Sequence, residues 1–296
     1  MTYLRSAVQR NKSLLTLHFT VFIWGFTGIL GALISIPASH LVWYRVLIAS
    51  ITLLIWFSIS KTNLRVSFKA FIQLFLTGAI LGIHWILFFY SIKISTVSVT
   101  LVSLSSLTLF TSILEPLISK GRISKLKVLI GLFIITGIYL IFKFEAEYTI
   151  GIITGLASAL CASIFSIINS KQVKTIKPAL ISFYELAGAW FWLTLYFLFT
   201  NEFESGFLLS QNDIIYLLIL GVICTAIAYV AGVSVMKDLS AFRVALITNL
   251  EPIYGILLAF VLLGKSEQMS IGFYSGTVLI LGSIFLYPYL RNQLKK

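Results

Sequence analysis

Three of the ten acidic residues, Glu115, Glu185 and Glu251, stand inside long apolar runs, where a carboxylate is costly and faces a cavity or a partner. Pro252 follows Glu251, removing a backbone donor and freeing a carbonyl one turn back. Thr248, Glu251 and Gly255 share a helix face at i, i+3 and i+7, with Asn249 beside them. A carboxylate next to freed carbonyls holds a substrate ammonium or a coupling proton. Its alternative is a protonated Glu hydrogen-bonded to a neighbouring helix. Ser105, Thr108, Ser112 and Glu115 form a second polar stripe, the wall of a hydrated path unless Glu115 simply ends a helix at the membrane interface. Glu185 shares its face with Gly188 and Trp192. His84 lies mid-run beside Trp85, placed to titrate, to bond substrate, or to be a satisfied core histidine. Arg45 either snorkels to the interface or points inward to pair with a substrate carboxylate. Trp24 shares a face with Thr20, Thr27 and Gly31; it joins Trp85 and Trp192 as a candidate cavity aromatic, with plain packing the alternative. Lys93 reads as an ordinary loop charge.

These groups point to binding, not catalysis. No HExxH or GxSxG occurs, and His18, His40 and His84 lie on separate segments. Cys161 and Cys224 sit in apolar runs without metal-ligand spacing, so no metal and no cofactor is expected. The phosphate loop GxxxxGK[ST] is absent, so this chain does not hydrolyse ATP.

The elements that carry them must be membrane helices. The 296 residues are 59% hydrophobic and 11% charged, with a mean hydropathy of +1.01. Soluble domains carry about a quarter charged residues. The net charge of +12 comes from short basic clusters between apolar runs, which favours anionic lipid over nucleic acid. The first run, from Leu14 to about Ile36, is too long for a signal-peptide core and reads as a retained span.

Breaks at charged or Pro/Gly/Asn stretches predict ten transmembrane helices, at about 15–36, 40–60, 70–91, 96–118, 126–143, 149–170, 178–200, 213–235, 241–263 and 269–289. Of the 22 Lys and Arg residues, 18 fall in one set of alternate connections and only Lys93, Lys143 and Lys265 in the other; Arg45 lies within a span. The positive-inside rule then puts both termini in the cytoplasm. Six acids (Glu145, Glu147, Glu202, Glu204, Asp213, Glu267) fall in the outer connections and Asp238 inside.

A shift of about 144 residues lays Thr96–Leu101 on Ser240–Ala245, Thr108 on Pro252 and Lys120-Gly121 on Gly264-Lys265. Five spans per half is an odd number, so the halves 1–144 and 145–296 are inverted repeats, a 5+5 all-α integral membrane fold. Gly151-x-x-x-Gly155 and Gly272-x-x-x-Gly276 mark close helix approach, within the chain or in a homodimer.

With Trp24-Gly25-Phe26, Arg45, the small-residue fourth span, Asn249-Leu250-Glu251-Pro252 and Leu263-Gly264, the chain resembles the EamA-type members of the drug/metabolite transporter superfamily over about 15–289. It departs from the family pattern at Thr108, where Pro is frequent, and at Gly121 and Lys265, where Glu is frequent. The resemblance implies a secondary transporter of amino acids or related metabolites with a cavity between the halves, export over uptake, and a bacterial inner membrane. Energy would come from gradients of substrate or ion, a proton or a counter-substrate among them. A proton-coupled version would use Glu251 or His84 as the titrating group, and an electroneutral facilitator would need neither. A lipid flippase on the same fold is the alternative. An intramembrane enzyme lacks the convergent groups it needs, and a membrane sensor would carry a soluble output domain where this chain has only short loops.

Overall fold

The structure, a computed structural model, describes residues 2–119, 125–204 and 207–293. Lys120, Gly121, Arg122, Lys295 and Lys296 lie outside the described residues, as do the side chains of Arg5, Lys125, Lys127, Glu204 and Arg291. Among the described residues every regular element is a helix. They are α1 (Thr2–Leu33), α2 (Ala38–Ile59), α3 (Phe68–Ile94), α4 (Val97–Leu104), α5 (Leu107–Ile118), α6 (Lys125–Phe144), α7 (Thr149–Gln172) and α8 (Pro178–Thr200). After these come α9 (Gln211–Leu218), a π-helical segment (Ile219–Ile227), α10 (Ala228–Val235), α11 (Ala241–Thr248), α12 (Glu251–Leu263) and α13 (Ile271–Gln293). Among the described residues, eight segments are long and apolar enough to cross a membrane, and two shorter apolar helices, Val128–Phe144 and Ile271–Tyr287, accompany them.

Local chemistry sets the helix starts. Ser67, Thr96, Ser210 and Ser240 each accept a backbone N–H three residues on, and Ser210 with Asp213 completes a reciprocal capping box. Pro178 and Pro252 sit in first turns, where a missing N–H costs nothing.

The stretches 96–118 and 241–263, read from sequence as continuous spans, are each interrupted. The first breaks at Ser105–Ser106, where the Ser106 hydroxyl takes the Ser103 carbonyl at 2.7 Å in competition with the backbone. The second breaks at Asn249–Leu250, because Pro252 cannot donate to the carbonyl of Thr248 and its ring would collide with it. Glu251 therefore opens a new helix instead of sitting within a long one, and Thr248, Glu251 and Gly255 do not share one continuous face. A shift of 144 residues carries α4 (97–104) onto α11 (241–248) and the start of α5 (107) onto the start of α12 (251). The two breaks also touch: the Asn249 amide donates to Thr108 Oγ1 and, at 2.7 Å, to the Ala245 carbonyl.

Glycines allow the closest crossings. A Cβ built on Gly276 would lie 2.6 Å from the Gly137 carbonyl, and one on Gly188 would lie 2.7 Å from the Phe75 carbonyl. These are the α6–α13 and α3–α8 contacts. Gly151 and Gly155 abut Ser95 and Ser103, while Gly272 abuts Phe144, so both GxxxG pairs lie in contacts inside the chain. Gly276→Val is expected to destabilise the protein by about 1–3 kcal/mol through overpacking, read as a lower melting temperature in detergent. Large apolar side chains such as Phe199 (81% exposed) and Val261 (77%) cover the outside.

The two ends of the bundle differ. At the acidic end, Asp213 accepts from the backbone N–H and hydroxyl of Ser35, both at 2.7 Å. Glu145 accepts from the Ser270 N–H at 2.9 Å, next to the start of α13. Glu267 accepts from the N–H groups of Val97 (3.0 Å) and Ser98 (2.9 Å) and from the Ser98 hydroxyl (2.6 Å). These three acids are buried caps that staple one helix to another. Lys93 is also more than a loop charge, since it lies in the last turn of α3 and donates to the Ile34 carbonyl at the end of α1. At the basic end, Ser13 donates to Asp238 at 2.6 Å and Lys174 to the Met236 carbonyl at 3.1 Å.

Candidate functional site

A cavity of about 90 Å³ opens among α1, α2, α3, α7, α10, α11 and α12, with Leu104 of α4 and Leu107 of α5 also on its wall. Arg45 from α2 enters it almost completely buried, at 2% exposure. Its guanidinium lies 4.1 Å from the Trp85 ring centroid and 5.4 Å from that of Phe89, a cation–π seat. Arg45 Nε donates to Thr225 Oγ1 at 2.6 Å. The Thr225 hydroxyl in turn donates at 2.6 Å to the carbonyl of Leu220, five residues back in the π-helical segment. Such segments accompany functional sites, and here one aims a hydroxyl at the arginine. Arg45 Nη1 is buried with no partner.

Glu251 lines the same cavity from the first turn of α12, at 5% exposure. Its carboxyl makes no hydrogen bond among the described residues. Arg45 and Glu251 attract each other across the cavity without closing into an ion pair. The site therefore holds one guanidinium and one carboxyl that are both short of hydrogen-bond partners among the described residues.

His84 presents the other pattern. Its Nδ1 lies 3.0 Å from the Ser158 carbonyl and 2.8 Å from the Ser158 hydroxyl, which itself donates to the His84 carbonyl at 2.9 Å. That network assigns the proton to Nδ1 and leaves Nε2 as an acceptor at the cavity wall. Trp24 and Thr248 also line the cavity. The Thr248 hydroxyl donates to the Val244 carbonyl at 2.9 Å, and Trp24 packs on Gly232, where a Cβ would meet it at 2.8 Å.

Five other candidates lie off the cavity wall. Asn249 and Thr108 bond each other at the crossing of the two broken helices. Glu115 is half-buried near the end of α5. Glu185 is fully buried behind the wall, held by Tyr229 and Asn169. Trp192 donates to the Phe75 carbonyl at 3.1 Å and packs on α3. Asn169, Tyr229 and Thr225 escaped the sequence reading. Neutral polar residues in apolar runs give no signal of their own, and Thr225 gains its role from the π-helical turn.

A model of the EamA-like transporter family matches residues 11–143 and again 149–288. The chain belongs to the EamA-like transporter family. A curated relative from Clostridium kluyveri, described as an uncharacterized transporter, is 28% identical over 153 residues, 50% of this chain and 47% of that one. The chain thus spans about half the length of the curated relative it matches. A solved crystal structure superposes with a TM-score of 0.71 at 16% identity, covering 95% of this chain and 98% of that one, which shows a shared fold. Both family matches build the cavity of this EamA-like chain, with Trp24, Arg45 and His84 from the first and Asn169, Tyr229 and Glu251 from the second.

Proposed function

We propose that this EamA-like protein is a secondary transporter that exports small zwitterionic metabolites, amino acids or their relatives, by alternating access. The observation that carries the reading is the meeting in one cavity of Arg45, whose Nη1 is buried without a partner, and Glu251, whose carboxyl makes no hydrogen bond among the described residues. A free amino acid satisfies both: its carboxylate accepts from the guanidinium and its ammonium donates to Glu251. Charge-assisted hydrogen bonds contribute about 1.5–3 kcal/mol each in such a setting. Trp85, Phe88 and Phe165 offer apolar and aromatic surface to the substrate side chain. The cavity volume of about 90 Å³ suits a small solute and is far below the roughly 300–1,000 Å³ of drug-sized pockets.

Alternating access draws on the reading of ten spans as two inverted halves, 1–144 and 145–296. The 144-residue register of the two broken helices and the two family matches support it. Each half supplies one broken helix, the two cross at Asn249 and Thr108, and rocking about that crossing would expose the cavity to either side. The charge asymmetry supports cytoplasmic termini, and the resemblance supports a bacterial inner membrane. Export rests on the resemblance. Energy comes from gradients of substrate or ion.

Proteoliposomes offered a panel of amino acids and related metabolites test the reading, with Glu251→Gln as the paired variant. Native protein is expected to move zwitterions, and the variant to lose roughly 10-fold or more of that flux, matching one lost charge-assisted bond. Equal flux of zwitterions and their amine-blocked derivatives would remove Glu251 as the ammonium partner. Movement of labelled lipid in place of any metabolite would favour a flippase.

A further inference from the structure

A buried polar cluster lies one layer behind the cavity, where side chains of α7, α8 and α10 meet. Glu185 is 0% exposed, and its Oε2 accepts from the Tyr229 hydroxyl at 2.7 Å and from Asn169 Nδ2 at 3.1 Å. Asn169 Nδ2 also lies 3.1 Å from the Tyr229 oxygen. Glu185 Oε1 has no partner, and neither does Asn169 Oδ1. One turn nearer the basic end, Gln172 Nε2 on α7 and Ser182 Oγ on α8 are also buried without partners. Native interiors leave few such atoms, and a cluster of them on adjoining turns calls for water or a proton.

Among the described residues no cation faces Glu185. From α2, Arg45 is turned to Thr225 and Trp85, and His40 lies at the far end beside Glu202. From α3, His84 is held by Ser158. From α7, Lys171 reaches the Ile118 carbonyl and Lys174 the carbonyl of Met236. From α10 comes Tyr229, and on α8 itself Tyr184 donates to the Leu64 carbonyl at 2.7 Å. A carboxylate buried without a cation is expensive, and binding a proton removes the expense. Both neutral donors here engage Oε2, which leaves Oε1 to take up and release that proton.

We propose that Glu185 is a proton-binding site, reached by water from the basic end past Gln172 and Ser182, and linked to the substrate cavity through Tyr229 and Asn169. Both linking residues line the cavity while they hold the carboxyl. The Tyr229 ring also meets Trp85 edge-on at 5.8 Å, and Trp85 carries the Arg45 guanidinium. A substrate that draws either donor toward itself changes the proton affinity of Glu185. By linkage the proton changes substrate affinity by the same factor. In each cycle a proton from water on one side adds to Oε1 and leaves to water on the other; no electron moves. The site divides labour between two carboxylates, Glu251 for substrate and Glu185 for the proton. Its link to transport rests on the zwitterion reading above, whereas the proton site itself does not.

Infrared difference spectra of the purified protein, titrated between acid and alkaline buffer, test the site. A protonated-carboxyl band is expected to titrate in the native protein, to vanish in Glu185→Gln, to shift in Tyr229→Phe and to persist in Glu251→Gln. In proteoliposomes with an entrapped pH dye, adding the amino-acid panel is expected to move protons, and the protons moved per amino acid should fall to none in Glu185→Gln. Identical bands in native protein and Glu185→Gln would overturn the proposal. So would an unshifted band in Tyr229→Phe, the deciding variant if Glu185→Gln fails to fold, or flux driven by sodium without proton movement. A titrating Glu185 band in a protein that moves none of the panel would uphold the proton site and sink the zwitterion reading instead.

Discussion

Arg45→Leu is expected to lower zwitterion affinity by at least about 30-fold while leaving the protein as stable as before, or more so. Removing one partner of a buried, hydrogen-bonded charge pair costs about 2–5 kcal/mol of binding, and about 1.4 kcal/mol is tenfold. Without ligand the same guanidinium is a burden. Among the described residues only its Nε has a hydrogen-bond partner, Nη1 has none, and Glu251 does not come within ion-pair reach. Buried charges exchanged for packed apolar groups often leave stability unchanged or improved. Affinity and melting temperature should therefore move in opposite directions. Arg45→Lys keeps the charge but loses the planar fork that donates to Thr225 and to a carboxylate together, so its affinity should fall between the two. The measurements are calorimetric titration with the transported zwitterion and thermal unfolding in detergent. Unchanged affinity in Arg45→Leu would remove it as the carboxylate partner. A large drop in melting temperature would make it a structural residue.

The second large effect concerns stability alone. Glu267→Ala is expected to cost about 3–5 kcal/mol. The carboxylate satisfies two backbone N–H groups at the start of α4 and the Ser98 hydroxyl, and each buried donor left alone costs about 1–3 kcal/mol. It also sits at the positive end of the α4 dipole. Glu267→Gln should recover little, because an amide offers one acceptor oxygen and turns its NH₂ toward an N–H donor. Exposed Glu147 is the control, its alanine variant staying within about 0.5 kcal/mol of native protein. Thermal unfolding of the three variants side by side decides it, and equal melting temperatures would show that water replaces the cap without cost.

Spans were legible in the sequence because a helix in lipid must satisfy its own backbone, so the signal is local. The apolar runs and the helix starts at Thr96 and Ser240 come from residues near one another in the chain, and the 144-residue register follows from comparing those local patterns. The breaks in the two crossing helices were half-legible. Pro252 announced one, yet the sequence placed Glu251 mid-helix, because a proline can kink a helix or start one. The Ser105–Ser106 break had no such sign, since two serines break a helix only where their hydroxyls capture carbonyls.

Side-chain direction was the part the sequence could not supply. Arg45 could have snorkelled along α2; its inward turn depends on Trp85 from α3 and Thr225 from a segment 180 residues away. Glu185 and Glu251 looked alike as carboxylates in apolar runs, and only packing separates them, one behind the cavity wall and one on it. Glu145, Asp213 and Glu267 read as loop acids and proved to be caps for backbone donors elsewhere in the chain. By itself the sequence determined a membrane-embedded helical chain of the EamA-like kind, together with its short list of polar residues. Only the tertiary structure decided which of them share a cavity. In lipid, every face of a helix can be apolar, so its rotation is set by close contacts with its neighbours and not by its own pattern.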